Sequence, residues 1–410
     1  MQQYEVTAHD GVLQYAIAHG MIDLSYVQEQ IEMNKRKELL DKHPYKIWHG
    51  TDGNWHTYLP DEEKGRVPRK RSTEAEIQKV VIDYWRNKLE NPTIREVFGE
   101  WNKRRLTLGK ISPASYSRHQ RTFKQFYSEF GKRRIKSVIP LEIEEFLESQ
   151  ISQYNLTAKA FSGLKSITKG FLKRAKKRGL IKWDVETLFL EMDVSDREFK
   201  KVIKEDFEQV FSEEEMPIVL DYLQNNQDMH NLCILLMFVT GIRIGEAVAL
   251  RPDCIGGTCI KIRRTETKYE DDSGNTICEI KDYPKTDAGV REVVIPSYYS
   301  WIPGVVLSRA GNCEYIFNKK GKRLTAQAVR RRLERICKNL GIYPKSPHDI
   351  RRTYGSILLD NHIDNRLIIQ QMGHTGIDCT ETYYHRNRRT IEKKKEILSN
   401  IPDFKCDMRV

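Results

Sequence analysis

Over residues 74–184 the apolar side chains recur at the spacing that places them on one face of an α-helix. Ile77, Val81 and Tyr84 form one such group, and similar groups follow up to Trp183. An apolar stripe on a helix must be covered by another element, so a series of such stripes packs into a bundle. The pattern therefore predicts an all-helical domain of about four or five helices in this part of the chain.

The pattern changes before this domain. Residues 1–62 combine short helical segments with two aromatic-rich strand candidates, Tyr45–Trp48 and Trp55–Leu59, around a hairpin-type loop. This stretch is too short for a large core, so we expect a small appended α/β module. Residues 63–73 are rich in Lys and Arg and are broken by Gly and Pro, which predicts a basic linker.

After the helical domain, residues 185–204 are charged and weakly periodic, which predicts a second linker. Residues 205–390 are mixed and helix-dominated, and the run Leu232–Val239 is apolar all round, as in a buried helix. A small antiparallel sheet is expected from four strand candidates, namely Cys259–Arg264, Thr276–Ile280, Val293–Ile295 and Tyr315–Phe317. Residues 391–410 form a tail with a helical pattern. The predicted fold class is a multidomain, mainly α protein.

The charge balance favours a polyanionic partner. Lys and Arg number 69 against 57 Asp and Glu, a formal net charge of +12. Nucleic acid is the leading partner and an acidic membrane the second, although a basic surface also serves solubility alone. The longest apolar run is too short to span a bilayer, and the eight cysteines show no CxxC pair. We therefore expect a cytoplasmic protein with reduced thiols and no membrane association.

Five fragments of residues 205–390 carry chemistry-bearing side chains. They are Thr240-Gly241-Ile242-Arg243-Ile244-Gly245-Glu246, Lys285-Thr286-Asp287, His348-Asp349-Ile350-Arg351, Met372-Gly373-His374 and Thr382-Tyr383-Tyr384-His385. Each fragment alone is a weak signal. Arg243 could form a structural ion pair with Glu246, and His348 with Arg351, one helical turn away, could cap a helix or bind a buried carbonyl.

In this order, however, the fragments resemble the tyrosine recombinase family of phage integrases and Xer-type enzymes. The shared pattern is TGxRxxE, a hairpin lysine, HxxR, GH, and a tyrosine nine residues after the GH histidine, here from His374 to Tyr383. The resemblance covers residues 205–390. The helical region before them is similar to the family's core-binding domain in position and helix pattern.

The resemblance implies a role for each motif residue in exchanging DNA phosphodiesters. Arg243 and Arg351 would bind the scissile phosphate, since a guanidinium can hold two phosphate oxygens and stays protonated. His348 and His374 would donate hydrogen bonds to it, and one of the two would assist proton transfer to or from the tyrosine, an arrangement suited to a near-neutral pKa. Lys285 would protonate the leaving 5′ oxygen, although Lys281 and Lys268 are nearby rivals.

Tyr383 would attack the phosphate, and the adjacent Tyr384 is its rival. Spacing from the GH histidine and the YxH ending at His385 favour Tyr383. Glu246, one helical turn from Arg243, would orient a cationic or imidazole group without reacting. This chemistry needs no metal or other cofactor, and no cluster of His, Cys, Asp and Glu has the spacing of a zinc site.

The implied partners are double-stranded DNA attachment sites, a homo-tetramer on the DNA, and a directionality factor or DNA-bending protein. Residues 1–62 are similar to modules that bind accessory arm sites. Candidate DNA-binding residues are Arg66, Arg69, Lys70, Arg71, Arg118, Arg121, Lys124, Lys173, Arg174 and Lys177. The leading function is an integrase of a mobile element. A type IB topoisomerase-like enzyme, a chromosome-dimer resolvase and a non-catalytic DNA-binding regulator are the alternatives.

Overall fold

The computed structural model describes residues 15–17, 19–21, 23–61, 64–271, 273–283, 287–374 and 376–401. The chain divides into two compact units, one formed by residues 1–112 and 118–200 and the other by residues 113–117 and 201–410. Both are dominated by helices, and the described strands pair only antiparallel. The prediction of a mainly α protein with small antiparallel sheets is therefore confirmed.

The first unit begins with a small sheet flanked by two helices. Its elements are α1 Leu24–Asp41, β1 Trp48–His49, β2 Trp55–Asp61, β3 Gly65–Arg71 and α2 Glu74–Glu90. The strand order is β1-β2-β3, and Thr57 and Leu59 on the middle strand are buried. The Thr57 side chain bonds His43, whose ring accepts from Trp85 of α2 at 3.3 Å, so this face of the sheet meets the helix.

The expected basic linker at residues 63–73 is wrong, because most of it is strand β3. Its backbone pairs with β2 along its full length, from Trp55 opposite Arg71 to Asp61 opposite Gly65. Pro68 is compatible with a strand here because β3 lies at the edge of the sheet, where a missing N–H breaks no ladder. Helix α2 packs on this sheet, so it extends the N-terminal module beyond the expected boundary at residue 62.

The rest of the first unit is a helical bundle. Its helices are α3 Ile94–Thr107, α4 Pro113–Phe126, α5 Pro140–Tyr154, α6 Ala158–Lys177 and α7 Val185–Glu191. Phe98, Phe123 and Tyr127 stack at its centre, and Phe171 meets Tyr127 edge-on. The Tyr127 hydroxyl lies 2.5 Å from that of Thr168. These buried rings are the stripe that the periodicity predicts.

The second expected linker, residues 185–204, is also partly wrong. Helix α7 occupies its first third and buries Val185, Leu188 and Phe189 in the same core. Asp184 caps this helix by accepting from the Thr187 N–H at 2.8 Å. Apolar residues spaced over only two turns are too few to give a clear period against so many charges.

The second unit surrounds one fully buried helix. Its helices are α8 Asp206–Gln209, α9 Glu215–Asn225, α10 Met229–Thr240, α11 Ile244–Ala247, α12 Trp301–Ala310, α13 Ala326–Asn339, α14 Pro347–Asp360, α15 Asn365–Met372, α16 Ile377–Tyr383 and α17 Ile391–Ser399. Every residue of α10 from Asn231 to Thr240 is buried. Helices α9, α11, α12, α13 and α14 pack around it, which explains a run that is apolar on all sides.

Within the described part of the second unit, the strands form three small antiparallel sheets. Their strands are β4 Ile255–Gly256, β5 Cys259–Ile262, β6 Thr265–Glu270, β7 Thr276–Lys281, β8 Arg291–Val294, β9 Asn318–Lys319 and β10 Lys322–Arg323. The pairings are β4-β5-β8, β6-β7 and β9-β10. The expected strand at Tyr315–Phe317 is wrong. Ile316 and Phe317 are buried ahead of the strand, which begins at Asn318.

Short 3₁₀ turns connect several of these elements, at Phe130–Lys132, Ile135–Ser137, Asp196–Glu198, Pro252–Cys254, Asp287–Gly289 and Ser297–Tyr299. Across the described ranges, the helices are all too short or too polar to cross a membrane.

Candidate active site

Arg243 lies at the start of α11, directly after the buried helix α10. Gly241 ends α10 with φ +65°, and a Cβ there would lie 2.2 Å from the Tyr354 ring, so only glycine fits. Glu246 accepts the Arg243 backbone N–H at 2.9 Å and its Nη1 at 2.8 Å. The Arg243 side chain nevertheless stays 40% exposed, so part of its guanidinium faces solvent.

Arg351 lies on α14 and is 1% exposed. Its Nη1 donates to the Gly241 carbonyl at 2.6 Å, and its Nη2 donates to the Met372 carbonyl and to His374 Nε2. Arg243 Nη2 in turn donates to the Gly373 carbonyl at 3.3 Å. The two arginines therefore join the turn after α10 to the turn after α15, which are far apart in sequence.

His374 is held as a neutral imidazole. Arg351 can only donate, so Nε2 accepts and Nδ1 carries the hydrogen towards Thr380 Oγ1, 2.7 Å away. Burial, and then the charges of Arg351 and Arg243, lower the pKa of His374 to about 3. Thr380 lies on α16, the helix that ends at Tyr383, so this bond fixes the histidine relative to that helix.

His348, at the start of α14, has its ring centroid 5.2 Å from that of Tyr384. Loss of hydration, and then the charge of Arg352, lower the pKa of His348 to about 4. The expectation of near-neutral pKa values for both histidines is therefore wrong for the protein without DNA. The positive charges of the arginine pair oppose protonation of His374 in the same way.

Tyr384 is the tyrosine whose ring lies in this pocket. It is 8% exposed, its centroid is 4.6 Å from that of His374, and Arg351 Cζ lies 5.5 Å over it. The Ser356 hydroxyl donates to its carbonyl at 3.0 Å and fixes the backbone. Of Tyr383, the structure describes the backbone at the end of α16 but not the side chain.

Gly373 begins the turn that presents His374. Its φ is +60°, and a Cβ would lie 2.8 Å from both the Ala288 carbonyl oxygen and Arg291 Cδ. Both the left-handed conformation and this close approach require glycine. The GH motif therefore has a backbone reason as well as a chemical one.

Arg291, the first residue of β8, is a site residue that the motifs do not indicate. Its side chain is 4% exposed and holds both oxygens of Glu246, at 2.9 and 3.2 Å. It also donates to the carbonyls of Gln371 at 2.9 Å and Gly289 at 3.0 Å. The sequence signal that could have indicated Arg291 is a charged residue at a strand position that is expected to be buried.

Lys285 and Thr286 lie outside the described residues, between β7 and β8. Lys281, the rival of Lys285, is described, and the Lys281 Nζ lies 3.9 Å from Glu279. Lys268 is exposed on the facing strand β6. The role of Lys285 therefore stays a prediction.

The candidate DNA-binding residues fall into three groups. On β3, Arg66, Arg69, Lys70 and Arg71 are all exposed. Cross-strand partners share a face of a sheet, so Arg69, opposite buried Thr57, lies on the face that meets α2.

The second group, on α4, consists of Arg118, Arg121 and Lys124, which are exposed. In the third group, on α6, Arg174 is held by Glu100 at 2.6 Å and Lys173 pairs with Glu186, while Lys177 is exposed. Arg174 and Lys173 are therefore partly neutralised by carboxylates of their own unit.

In the ranges that the structure describes, groups of three or more His, Cys, Asp or Glu side chains suited to a metal ion are not found. Arg243, Arg351 and Arg291 instead dominate the pocket, and they would repel a cation. The residues present suit an anion, and the Arg351 Nε–H is a buried donor without a hydrogen-bond partner among the described residues.

Comparison with known proteins agrees with this geometry. Residues 209–389 match the model of the phage integrase family. The chain is 26% identical over 157 residues to tyrosine recombinase XerC of Roseiflexus castenholzii, covering 38% of this chain and 46% of that protein. The chain thus spans about half the length of the curated relatives it matches.

Solved structures show the same fold at low identity. The Tn1549 transposon integrase in complex with transposon right end DNA is 16% identical, with a TM-score of 0.57 over 75% of this chain and 99% of that chain. A lambda integrase tetramer bound to a Holliday junction is 14% identical, with a TM-score of 0.50 over 82% and 97%. By the family match and the XerC relative, residues 209–389 are therefore similar to the tyrosine recombinase family, and the solved structures share the fold.

Proposed function

We propose that this chain is a site-specific DNA recombinase, an integrase that cuts and rejoins DNA through a 3′-phosphotyrosine intermediate and so inserts or removes a mobile element. The observation that carries the proposal is the convergence of Arg243, Arg351 and His374 on one pocket beside the end of α16. Two guanidinium groups match the charge and the oxygen spacing of a phosphodiester.

The proposed reaction exchanges one phosphoester for another. The Tyr383 oxygen bonds to phosphorus, the bond from phosphorus to the 5′ oxygen breaks, and the 5′ oxygen takes a proton from Lys285. The phenol proton passes to a neighbouring base, for which we propose the imidazole of His348, because Nε2 of His374 already accepts from Arg351. The ester bond is retained, so a 5′ hydroxyl of a partner strand can reverse the step without ATP.

Tyr384 is the alternative nucleophile. Spacing from His374 favours Tyr383, whereas the ring contacts with His374 and His348 favour Tyr384. Either assignment leaves the two arginines and the reaction class unchanged.

The N-terminal module is the proposed arm-site reader. The register places Trp48, His56 and Lys70 on the face of the sheet opposite buried Thr57. Tyr58 shares that face, and Arg66 stacks on its ring at 4.4 Å. A sheet face with exposed cations and flat rings suits a DNA groove.

Two other members of the same reaction class are separated by their substrates. A type IB topoisomerase-like enzyme would relax single duplexes, whereas an integrase assembles as a tetramer on paired sites. The XerC relative keeps a chromosomal recombinase as a further candidate, and an accessory-site module favours a mobile element. We propose the cytoplasm as the site of action.

Covalent capture on a nicked-duplex library tests the proposal. The full chain is incubated with the library and denatured, and DNA that stays attached is recovered and sequenced, beside Tyr383→Phe and Tyr384→Phe. We expect adducts at one sequence family that disappear with Tyr383→Phe and persist with Tyr384→Phe. The reverse result would move the nucleophile to Tyr384. Retained native binding without an adduct from the unchanged chain would favour the DNA-binding regulator.

A further inference from the structure

Arg291 is buried at a position where a charge is costly. Its side chain is 4% exposed, and it lies in a strand that pairs with β5 through its backbone. A guanidinium in such a place must be paired and hydrogen-bonded to be tolerated. Its four hydrogen bonds, two to Glu246 and one each to the carbonyls of Gly289 and Gln371, satisfy that requirement.

Glu246 is shared between two arginines. Oε1 accepts from Arg243 Nη1 and Arg291 Nη1, and Oε2 accepts from the Arg243 backbone N–H and Arg291 Nη2. Burial by itself would raise the pKa of Glu246, yet the charges of Arg291 and Arg243 hold it below its usual value. The carboxylate is therefore ionised, and each of its oxygens is already occupied by Arg291.

This sharing decides what Arg243 can do. With Arg291 in place, Glu246 takes one guanidinium nitrogen of Arg243, and that side chain stays 40% exposed. The charge of Arg291 also cancels that of Glu246, which leaves Arg243 and Arg351 uncompensated beside the pocket. Without Arg291, a buried carboxylate would have both oxygens available for the fork of Arg243, which it matches in geometry.

We propose that Arg291 is a positioning residue that holds the Glu246 carboxylate and thereby keeps the Arg243 guanidinium directed at the scissile phosphate. The inference rests on the proposed function, since it assigns Arg291 a part in the same site without contact to the reacting atoms. It does not depend on which tyrosine attacks.

Four full-length variants test the inference: Arg291→Met, Glu246→Gln, the double variant, and Arg291→Lys. The readouts are the single-turnover cleavage rate of a nicked duplex at saturating protein and the Kd for the same DNA. We expect Arg291→Met to slow cleavage by about tenfold or more with a much smaller change in Kd, because a small misplacement of Arg243 affects mainly the transition state.

The double variant separates positioning from a merely structural role. Once Glu246→Gln removes the carboxylate charge, nothing draws Arg243 away, so the double variant should cleave faster than Arg291→Met, and Arg291→Lys should keep part of the rate. A double variant as slow as Arg291→Met, or slower, would overturn the inference, as would a wild-type rate for Arg291→Met. If Arg291→Met does not fold, Arg291→Lys with and without Glu246→Gln gives the same comparison.

A crystal structure of Arg291→Met, or of Arg291→Lys if Arg291→Met does not fold, decides the matter independently of activity. We expect both Glu246 oxygens to bond the Arg243 guanidinium, and an unchanged Glu246 would refute the inference. If the unchanged chain forms no covalent adduct, the proposed function fails, while this structural result still answers the question about Glu246.

Discussion

Gly373→Ala is the substitution for which the structure gives the sharpest expectation. The residue has φ +60°, and a methyl group there would lie 2.8 Å from the Ala288 carbonyl oxygen and from Arg291 Cδ. Gly341 is a matched control in the same unit, because its φ is +68° and nothing lies within 4 Å of an added Cβ. Both substitutions carry the free-energy cost of the left-handed backbone conformation, but only Gly373→Ala also places a methyl group too close to neighbouring atoms.

The left-handed conformation costs an alanine about 1–2 kcal/mol. The alanine also lowers the conformational entropy of the unfolded chain, which offsets about 0.4–1 kcal/mol of this cost. Gly341→Ala should therefore lower the free energy of unfolding by about 1 kcal/mol. Gly373→Ala adds an overlap with backbone and a buried side chain, typically worth about 1–3 kcal/mol, for a total of about 2–4 kcal/mol.

Two assays check this expectation. Urea unfolding of the full-length variants, followed by circular dichroism, compares their free energies of unfolding. Single-turnover cleavage of a nicked duplex then tests the site. The Met372 carbonyl accepts from Arg351 and the Gly373 carbonyl accepts from Arg243, so a shift of this turn would move both arginines. We expect Gly373→Ala to cleave at least about tenfold more slowly than Gly341→Ala. Equal destabilisation by the two substitutions, or equal cleavage rates, would refute the reasoning.

Burial lowers the pKa of His374 to about 3, against an ordinary value of 6.5. Between these two pH values the unfolded chain binds one more proton than the folded chain. The free energy of unfolding is therefore lost as the pH falls below about 6.5. His374→Gln should flatten this acid limb by up to about 1.4 kcal/mol per pH unit in unfolding titrations, and an unchanged slope would contradict a neutral histidine. Arg66→Ala and Lys70→Ala should each reduce the salt slope of arm-DNA affinity by about 1, measured by fluorescence anisotropy, and an unchanged slope would remove them from the interface. Tyr127→Phe, which loses the buried bond to Thr168, should cost about 1–2 kcal/mol of unfolding free energy and leave core-site cleavage unchanged; a cleavage defect would argue against a purely structural bond.

The sequence predicted elements best where one physical signal dominated. The apolar run Leu232–Val239 was predicted to be a buried helix, and it lies within α10, which other helices cover. At residues 63–73 the same kind of reasoning failed. Gly, Pro and repeated charges favour a linker locally, but an edge strand tolerates all three because one side of it faces solvent.

The order and spacing of the motifs, through their resemblance to a known family, led to the candidate site residues. Arg243, His348, Arg351 and His374 are residue types that suit phosphate chemistry, and only His348 and Arg351 share one helix, α14. The boundaries of the N-terminal module and of the predicted linkers depended instead on which surfaces other elements cover, and a local sequence pattern does not contain that information.

Tertiary structure alone decided how these groups hold one another. The Gly241 carbonyl accepts from Arg351, and the Gly373 carbonyl from Arg243, across more than a hundred residues of chain in each case. Arg291 joins the site for the same reason, since its partner Glu246 lies 45 positions earlier. Sequence sets which groups are available, but a hydrogen bond depends on distance and direction in space, and these exist only once the core around α10 has brought the turns together.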